Sequence, residues 1–160
     1  MLLFISNIQN RMINFRLDTL LMNSYEAFQP LAQEKSISLS IELPEGALPA
    51  CPADPERISQ VISILIHNAI SYTPEHGKIT LAVSKHKERF YISVTDNGIG
   101  ISDEDKKRIF DRFYRVEKSR STKDHFGLGL SIAYEIVKAH GGNIQVSDAL
   151  GGGSCFTVVL

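Results

Sequence analysis

Residues 94–102 read VTDNGIGIS, and the way this stretch is resolved decides the fold. A strand-like run from Phe90 to Thr95 ends at Asp96. The chain then gives up its side chain twice, at Gly98 and Gly100. An ordinary turn would explain one glycine beside an Asp. A loop that must let a ligand approach its backbone would explain both. The choice depends on what the rest of the chain brings to this point.

On either side of the stretch the hydrophobic pattern switches between two periods. Ile79, Leu81 and Val83 alternate with other residues, as do Phe90, Ile92 and Val94. These predict two strands, with Lys85-His86-Lys87-Glu88 as a polar hairpin connection. Ile37, Leu39 and Ile41 predict an earlier strand. Pro44, Gly46 and Pro49 then break the chain. Asp54-Pro55 predicts a helix start, with Asp54 as N-cap and Pro55 in the first turn. Its inner stripe is Ile58, Val61, Ile62, Leu65 and Ala69, and Pro74 and Gly77 follow its end.

Ser102 with Asp105 has the spacing of a capping box for a short helix running to about Phe110. Residues 112–126 are polar, strongly charged and without periodicity, and are expected to form a mobile loop. Gly127-Leu128-Gly129-Leu130 opens a further helix, with Ile132, Ala133, Ile136 and Val137 facing inward and Gly141-Gly142 as its stop. Two last strands are predicted around 143–147 and 154–160, joined at Gly151-Gly152-Gly153. At the other end, residues 1–35 read as one helix. Ile5, Ile8, Met12, Phe15, Thr19 and Met22 form a heptad-like seam on it. That seam suits either a helix packed on its own domain or a stalk that pairs with a partner. The sum is an α+β fold: a two-layer sandwich with about five strands, mixed but largely antiparallel, and about three helices on one face.

Composition narrows the classes. The chain has 160 residues and a net charge of −1, so no global excess of charge points to nucleic acid. Its longest apolar runs are about five residues, against the roughly 20 that span a bilayer. No secretory leader is evident, and the abrupt helical start suggests a piece of something longer. Cys51 and Cys155 are far apart in the sequence. They suggest small apolar residues, above all Cys155 in its strand, rather than a disulfide framework or a zinc site.

Three segments carry candidate chemistry. Asn68 follows the apolar stripe of its helix, and a carboxamide oxygen is a neutral hard ligand suited to Mg²⁺ held mostly by phosphates. Asp96, at a strand end, needs donors, and an exocyclic amine such as that of adenine is one. Gly127 and Gly129 precede a helix, where backbone N–H groups can face an anion. Arg115, Lys118, Arg120 and Lys123 lie just before them. Each feature also has a plain explanation: a helical Asn, an Asx turn, a tight helix entry and a solvated charged face.

Together and in this order, they resemble the histidine kinase catalytic domain of the Bergerat (GHKL) ATP-binding fold. The matching stretches are LIHNAISYTP, DNGIG, RIFDRFYR, FGLGLSIAYEIVKAHGG and GGGSCF, and they span roughly residues 35–160. The resemblance implies ATP and Mg²⁺ as ligands. It implies that Asn68 coordinates Mg²⁺, that Tyr72 lies along the adenine, and that Asp96 accepts from the adenine amine. Gly98, Gly100 and Ile101 would line the base, and Phe110 and Phe113 would anchor a lid. Gly127, Leu128, Gly129 and Leu130 would form the phosphate-side loop, and Arg115 and Arg120 would touch phosphates.

The sequence also departs from the family pattern. Ile64 stands where a first Asn is usual, and where the hydrolytic branches carry a water-activating Glu, so efficient ATP hydrolysis is not expected. Ser71 replaces a frequent Lys. His125, followed by Phe126, replaces a glycine, so a phosphate contact there is either lost or passes to Lys123 or His125. None of His67, His76, His86, His125 or His140 is followed by the acidic residue expected after a phosphoacceptor, so the acceptor is expected outside this chain. His76, His86 and His140 are expected at the surface.

The resemblance therefore implies two parts. Residues 1–34 would be the end of a dimerisation and phosphoacceptor hairpin, able to support a homodimer. Residues 35–160 would be the ATP-binding catalytic domain, cytoplasmic in a parent protein anchored in a membrane elsewhere. The γ-phosphate of Mg·ATP would pass to a histidine of the hairpin and then to a response regulator receiver domain. The competing readings are a non-catalytic nucleotide-sensing or partner-binding module and an anti-sigma-type serine kinase of the same fold.

Overall fold

In a computed structural model, residues 7–115 and 129–160 are described. Most of the polar run at 112–126 lies outside these residues, as do Arg120, Gly127 and Leu128. Seven strands and four helices follow in the order β1 (Ile13–Phe15), α1 (Leu17–Glu34), β2 (Ser38–Glu42), β3 (Cys51–Ala53), α2 (Pro55–Tyr72), β4 (Lys78–His86), β5 (Arg89–Asp96), α3 (Asp103–Lys106), α4 (Gly129–Ala139), β6 (Asn143–Asp148) and β7 (Ser154–Val159). Five strands form one sheet in the order β2-β4-β5-β7-β6. All its pairings are antiparallel except β2 with β4, which is parallel. This is the expected mixed, largely antiparallel sandwich.

Period-2 alternation places Leu39, Ile79, Leu81, Val83, Phe90, Ile92, Val94, Ile144, Phe156 and Val158 on the buried face of the sheet. The long helices cover that face: α1 lies against β2 and β4, α2 against β5, and α4 against β6. In α2 the predicted stripe is buried, together with Ile66 and Ile70. Asp54 caps it by accepting the Arg57 N–H at 3.2 Å. In α4, Ala133, Ile136 and Val137 are buried, but Ile132 is 39% exposed and does not face inward. Cys51 is the deeply buried cysteine, its thiol pushed up to about 11 by burial. Cys155 is half-buried and accepts from the Thr95 hydroxyl at 3.3 Å.

The N-terminal region departs from the single helix expected over 1–35. Residues 7–9 are helical, and the chain then extends as β1, which pairs antiparallel with β3 in a separate two-stranded sheet. The heptad-like seam therefore has no continuous helix to run along. The stripe that is buried in α1 is a different one: Leu17, Leu21 and Ser24, with Phe28, Leu31 and Ala32 continuing it. These apolar side chains belong to the same core cluster as the sheet. Residues 17–34 thus pack on the domain itself, and the core extends across the boundary expected at 34. Arg16 starts α1 with extended backbone, and its guanidinium clamps the buried Asp18 at 2.5 Å.

Candidate functional site

Asp96 is the last inward-facing residue of β5. It follows Phe90, Ile92 and Val94 on the buried row and lies opposite Ile79 of β4. A carboxylate in an apolar row is costly unless donors reach it. Two backbone donors do, and both use the same oxygen: Gly98 N–H at 2.9 Å and Ser154 N–H at 3.3 Å, each to Oδ1. Oδ2 accepts no hydrogen bond among the described residues. The residue is 5% exposed, and burial raises its pKa above the ordinary carboxylate value, opposed by the two N–H donors.

The glycines around Asp96 have distinct local reasons. A Cβ at Gly98 would lie 2.5 Å from the Tyr72 carbonyl oxygen and 3.1 Å from Asp96 Oδ1, so the loop packs its backbone on the end of α2. Gly100 has φ +75°, in the left-handed region. Gly153, at φ +95°, lies so close to the Asp96 carbonyl that no Cβ fits. Gly98 is therefore required by the fold's own close approach, whatever else it meets. Asn97 fixes the same loop to β4, accepting Lys78 N–H on its side chain at 2.7 Å and donating its own N–H to Lys78 O at 3.1 Å.

Asn68 sits on α2, half-buried, and its carboxamide makes no hydrogen bond among the described residues. One turn earlier, Ile64 approaches the start of α4, with its Cγ2 3.5 Å from where a Cβ of Gly129 would be. One turn before the end of α2, the His67 carbonyl accepts from the Ser71 hydroxyl at 2.9 Å. Tyr72 ends the helix, half-buried. Ile101 and Leu130 are partly buried against the core on either side. The Thr73 hydroxyl oxygen, at the C-cap of α2, is buried with no hydrogen-bond partner among the described residues.

The two phenylalanines following α3 part company. Phe110 packs against Phe156 edge-on at 6.1 Å and against Tyr134 at 5.7 Å. Phe113 is 71% exposed at φ +64° and is not among the residues packed on the core, and most of the segment it would anchor lies outside the described residues. The stretch just after α3 is tied down by Tyr114, whose hydroxyl donates to Asp105 and whose ring lies under Arg108. Lys106 adds ion pairs to Asp103 at 3.0 Å and to Asp148 at 2.7 Å. Arg115 is half-buried.

The structure therefore brings Asp96, Gly98 and Tyr72 together, with Asn68 one turn back along the same helix. Sequence reasoning missed Ser154 and Gly153 as neighbours of Asp96. The signal was present in GGGSC, whose glycines permit the approach and whose Ser154 continues the inward row of β7. His140 is not a surface residue as expected. It is half-buried and joins two helices, a contact described below.

Known proteins match this arrangement. Residues 53–160 match the family described as histidine kinase-, DNA gyrase B- and HSP90-like ATPase, and the chain belongs to that family. Within it the chain is a histidine-kinase-type ATP-binding catalytic domain. It is 41% identical over 133 residues to the sensor histidine kinase WalK of Bacillus subtilis (strain 168), covering 81% of this chain and 22% of that protein. It is 50% identical over 104 residues to the sensor protein CiaH of Streptococcus pneumoniae serotype 4, covering 64% of this chain and 23% of that one. The chain thus spans under a quarter of the length of these two curated relatives. Among solved structures, the catalytic domain of the histidine kinase ThkA superposes with a TM-score of 0.83 at 30% identity, covering 93% of this chain and 94% of that one. Full-length ShkA in complex with AMPPNP gives 0.80 at 31% identity, covering 92% and 30%. No helix among the described residues is long and apolar enough to cross a membrane.

Proposed function

We propose that this domain binds Mg·ATP and directs its γ-phosphate to a histidine outside the chain, on a hairpin domain of the parent kinase, for relay to a receiver-domain aspartate. The observation that carries the reading is the Asp96 carboxylate. One oxygen is saturated by two backbone N–H groups, and the other is left for a donor. Adenine offers an amine donor at the position where guanine offers a carbonyl, so this oxygen would select adenine. Tyr72, Gly98, Gly100 and Ile101 surround that point in the chain and would line the base.

The residues present also suit a hard cation. The Asn68 carboxamide has no internal partner among the described residues, and a neutral oxygen ligand suits a metal whose charge phosphates already balance. Mg²⁺ bound there would neutralise phosphate charge. Gly127, Leu128, Gly129 and Leu130 would supply backbone N–H groups to the phosphates, with Arg115 and Arg120 as cations. In the transfer the γ-phosphorus–oxygen bond to ADP breaks and a nitrogen–phosphorus bond to imidazole forms, the ring proton leaving to solvent. Neutral imidazole is already a nucleophile, so the domain's task is positioning and charge neutralisation. Ile64 cannot activate water, which disfavours hydrolysis as the competing outcome. We place the domain in the cytoplasm of a membrane-anchored parent.

A second reading, a nucleotide-sensing module without transfer, draws on Ser71, whose hydroxyl is turned onto its own helix where a lysine would reach outward. The test has two stages. Calorimetric titration with Mg·ATP should show binding that Asp96→Asn abolishes. Incubation with a separately supplied hairpin domain should then yield acid-labile phosphohistidine. Binding without transfer would favour the second reading, and acid-stable phosphoserine would favour a serine kinase.

A further inference from the structure

The helices α2 and α4 run antiparallel and meet at two places. At the near end, Gly129 opens α4 against Ile64. At the far end, His140 follows the last turn of α4 and bridges to the residue before α2. Its Nε2 accepts the Asp54 N–H at 3.0 Å, and its Nδ1 lies 2.8 Å from the Ile136 carbonyl. An acceptor nitrogen carries no proton, so the neutral ring holds its hydrogen on Nδ1 and donates it to Ile136 O. One imidazole thereby satisfies a free N–H at the start of one helix and adds a second hydrogen bond to a carbonyl in the last turn of the other, which also accepts the His140 backbone N–H at 3.2 Å.

The two contacts lie at similar spacings on both helices. Asp54 to Ile64 spans ten residues and Gly129 to His140 eleven, roughly 15 and 16 Å at the usual rise. The side chains of Ile58, Val61, Ile62 and Leu65 on one helix and Ala133, Ile136 and Val137 on the other are buried in the same core cluster and, being apolar, carry no directional bond. Interdigitated apolar packing opposes both separation and sliding, but it tolerates a small axial shift more readily than a hydrogen bond does, whose geometry is sharp. A hydrogen-bonded pivot at one end fixes the axial offset at the other.

We infer that His140 is a positioning residue for the phosphate side of the site. It sets the register of α4 along α2, and so the gap between Asn68, one turn past Ile64, and the entry of α4 at Gly129. The inference rests on the nucleotide reading above for its functional meaning, but its structural content stands apart. The adenine side hangs on Asp96 in β5 and on the β7 turn, neither of which the bridge touches.

The test compares His140→Ala and His140→Gln with the parent chain. Glutamine can accept from Asp54 N–H and donate to Ile136 O, so it should restore the bridge. Two readouts are needed. In amide NMR spectra without nucleotide, His140→Ala should shift Gly129 and Asn68, about 16 Å and about 21 Å along the helices from the bridge, and His140→Gln should return them toward the parent positions. In titrations well below the melting temperature, His140→Ala should weaken Mg·ATP about tenfold, the scale of one lost hydrogen bond, and leave adenosine affinity unchanged. A lowered melting temperature with unshifted Asn68 and Gly129 amides, or equal losses for ATP and adenosine, would overturn the inference and leave His140 a simple staple. If the parent chain binds no Mg·ATP, the nucleotide reading fails, and the spectra alone still decide whether the bridge sets the distant register.

Discussion

The backbone N–H of Ser154 reaches 3.3 Å across the β5–β7 seam to the Asp96 carboxylate, joining residues 58 apart in the chain. This contact makes an inward-facing carboxylate tolerable, and it also leaves that carboxylate half used. Asp96→Asn keeps an oxygen for both N–H donors while removing a desolvated charge. The variant should melt at the parent temperature or above it near pH 7, yet lose Mg·ATP binding by at least about tenfold, the scale of one polar contact to a charged group. Calorimetry and thermal melts on the same sample check the pair of outcomes.

Titration of Asp96 gives a second expectation. Its folded-state value lies above the ordinary carboxylate value. Between the two, the folded protein holds more protons than the unfolded chain. Its contribution to stability is therefore full below the ordinary carboxylate range and is lost as pH rises through the raised folded value. Nucleotide affinity should run the opposite way, since a protonated carboxyl is uncharged and a weaker acceptor for an amine than the carboxylate. Melting temperature and affinity measured across the acidic range should show these opposed slopes, and the stability slope should flatten in Asp96→Asn.

Asp18 should behave in the reverse sense. Its side-chain bond from Arg16 holds its pKa below the ordinary value, so its contribution is present above the ordinary carboxylate range and is lost as pH falls through the lowered one. Asp18→Asn should melt below the parent at pH 7, and the two curves should converge in acid. Parallel curves at all pH values would mean that the charge of the clamp is irrelevant.

Phe110 and Phe113 should separate on substitution. Phe110→Ala removes a ring wedged between Phe156 and Tyr134 and should cost about 2–3 kcal/mol, less than for a fully buried ring. Phe113→Gly should cost nothing or stabilise by about 1 kcal/mol, because glycine adopts the left-handed backbone freely. Urea denaturation of both variants distinguishes these outcomes.

Close approach at Gly98 gives a fifth expectation. Gly98→Ala would press a methyl onto the Tyr72 carbonyl and should cost about 1–3 kcal/mol as the loop withdraws. Nucleotide affinity should drop with it, since Asp96 loses one of its two N–H donors.

Much of this was legible in the sequence because it depends on local rules. The period-2 runs gave β4 and β5, and the Asp54-Pro55 pair marked the start of α2. The Ser102–Asp105 box was visible in the same way, with its N–H bond at 3.1 Å. What was not legible depends on partners distant in the chain. Met12 and Phe15 fit a helical seam as well as they fit an extended segment, and only β3, some forty residues on, decides for β1. Ser154 could be placed in a strand but not beside Asp96, because the pairing of β5 with β7 is not written in either strand. His140 looked like a helix-end residue until Asp54 was brought against it. The roles of Arg120, Gly127 and Leu128 fall outside the described residues.

The one parallel pairing has a consequence in time. β4 with β5 and β6 with β7 are hairpins that can close through short turns, whereas Ser40 of β2 meets Thr80 of β4 across 40 residues that include all of α2. That closure carries more chain entropy and must wait for α2 to dock. β2 is also an outermost strand, bonded on one side only. It should therefore pair after the two hairpins have closed, and its amides should exchange with deuterium sooner than those of the interior strands β4, β5 and β7.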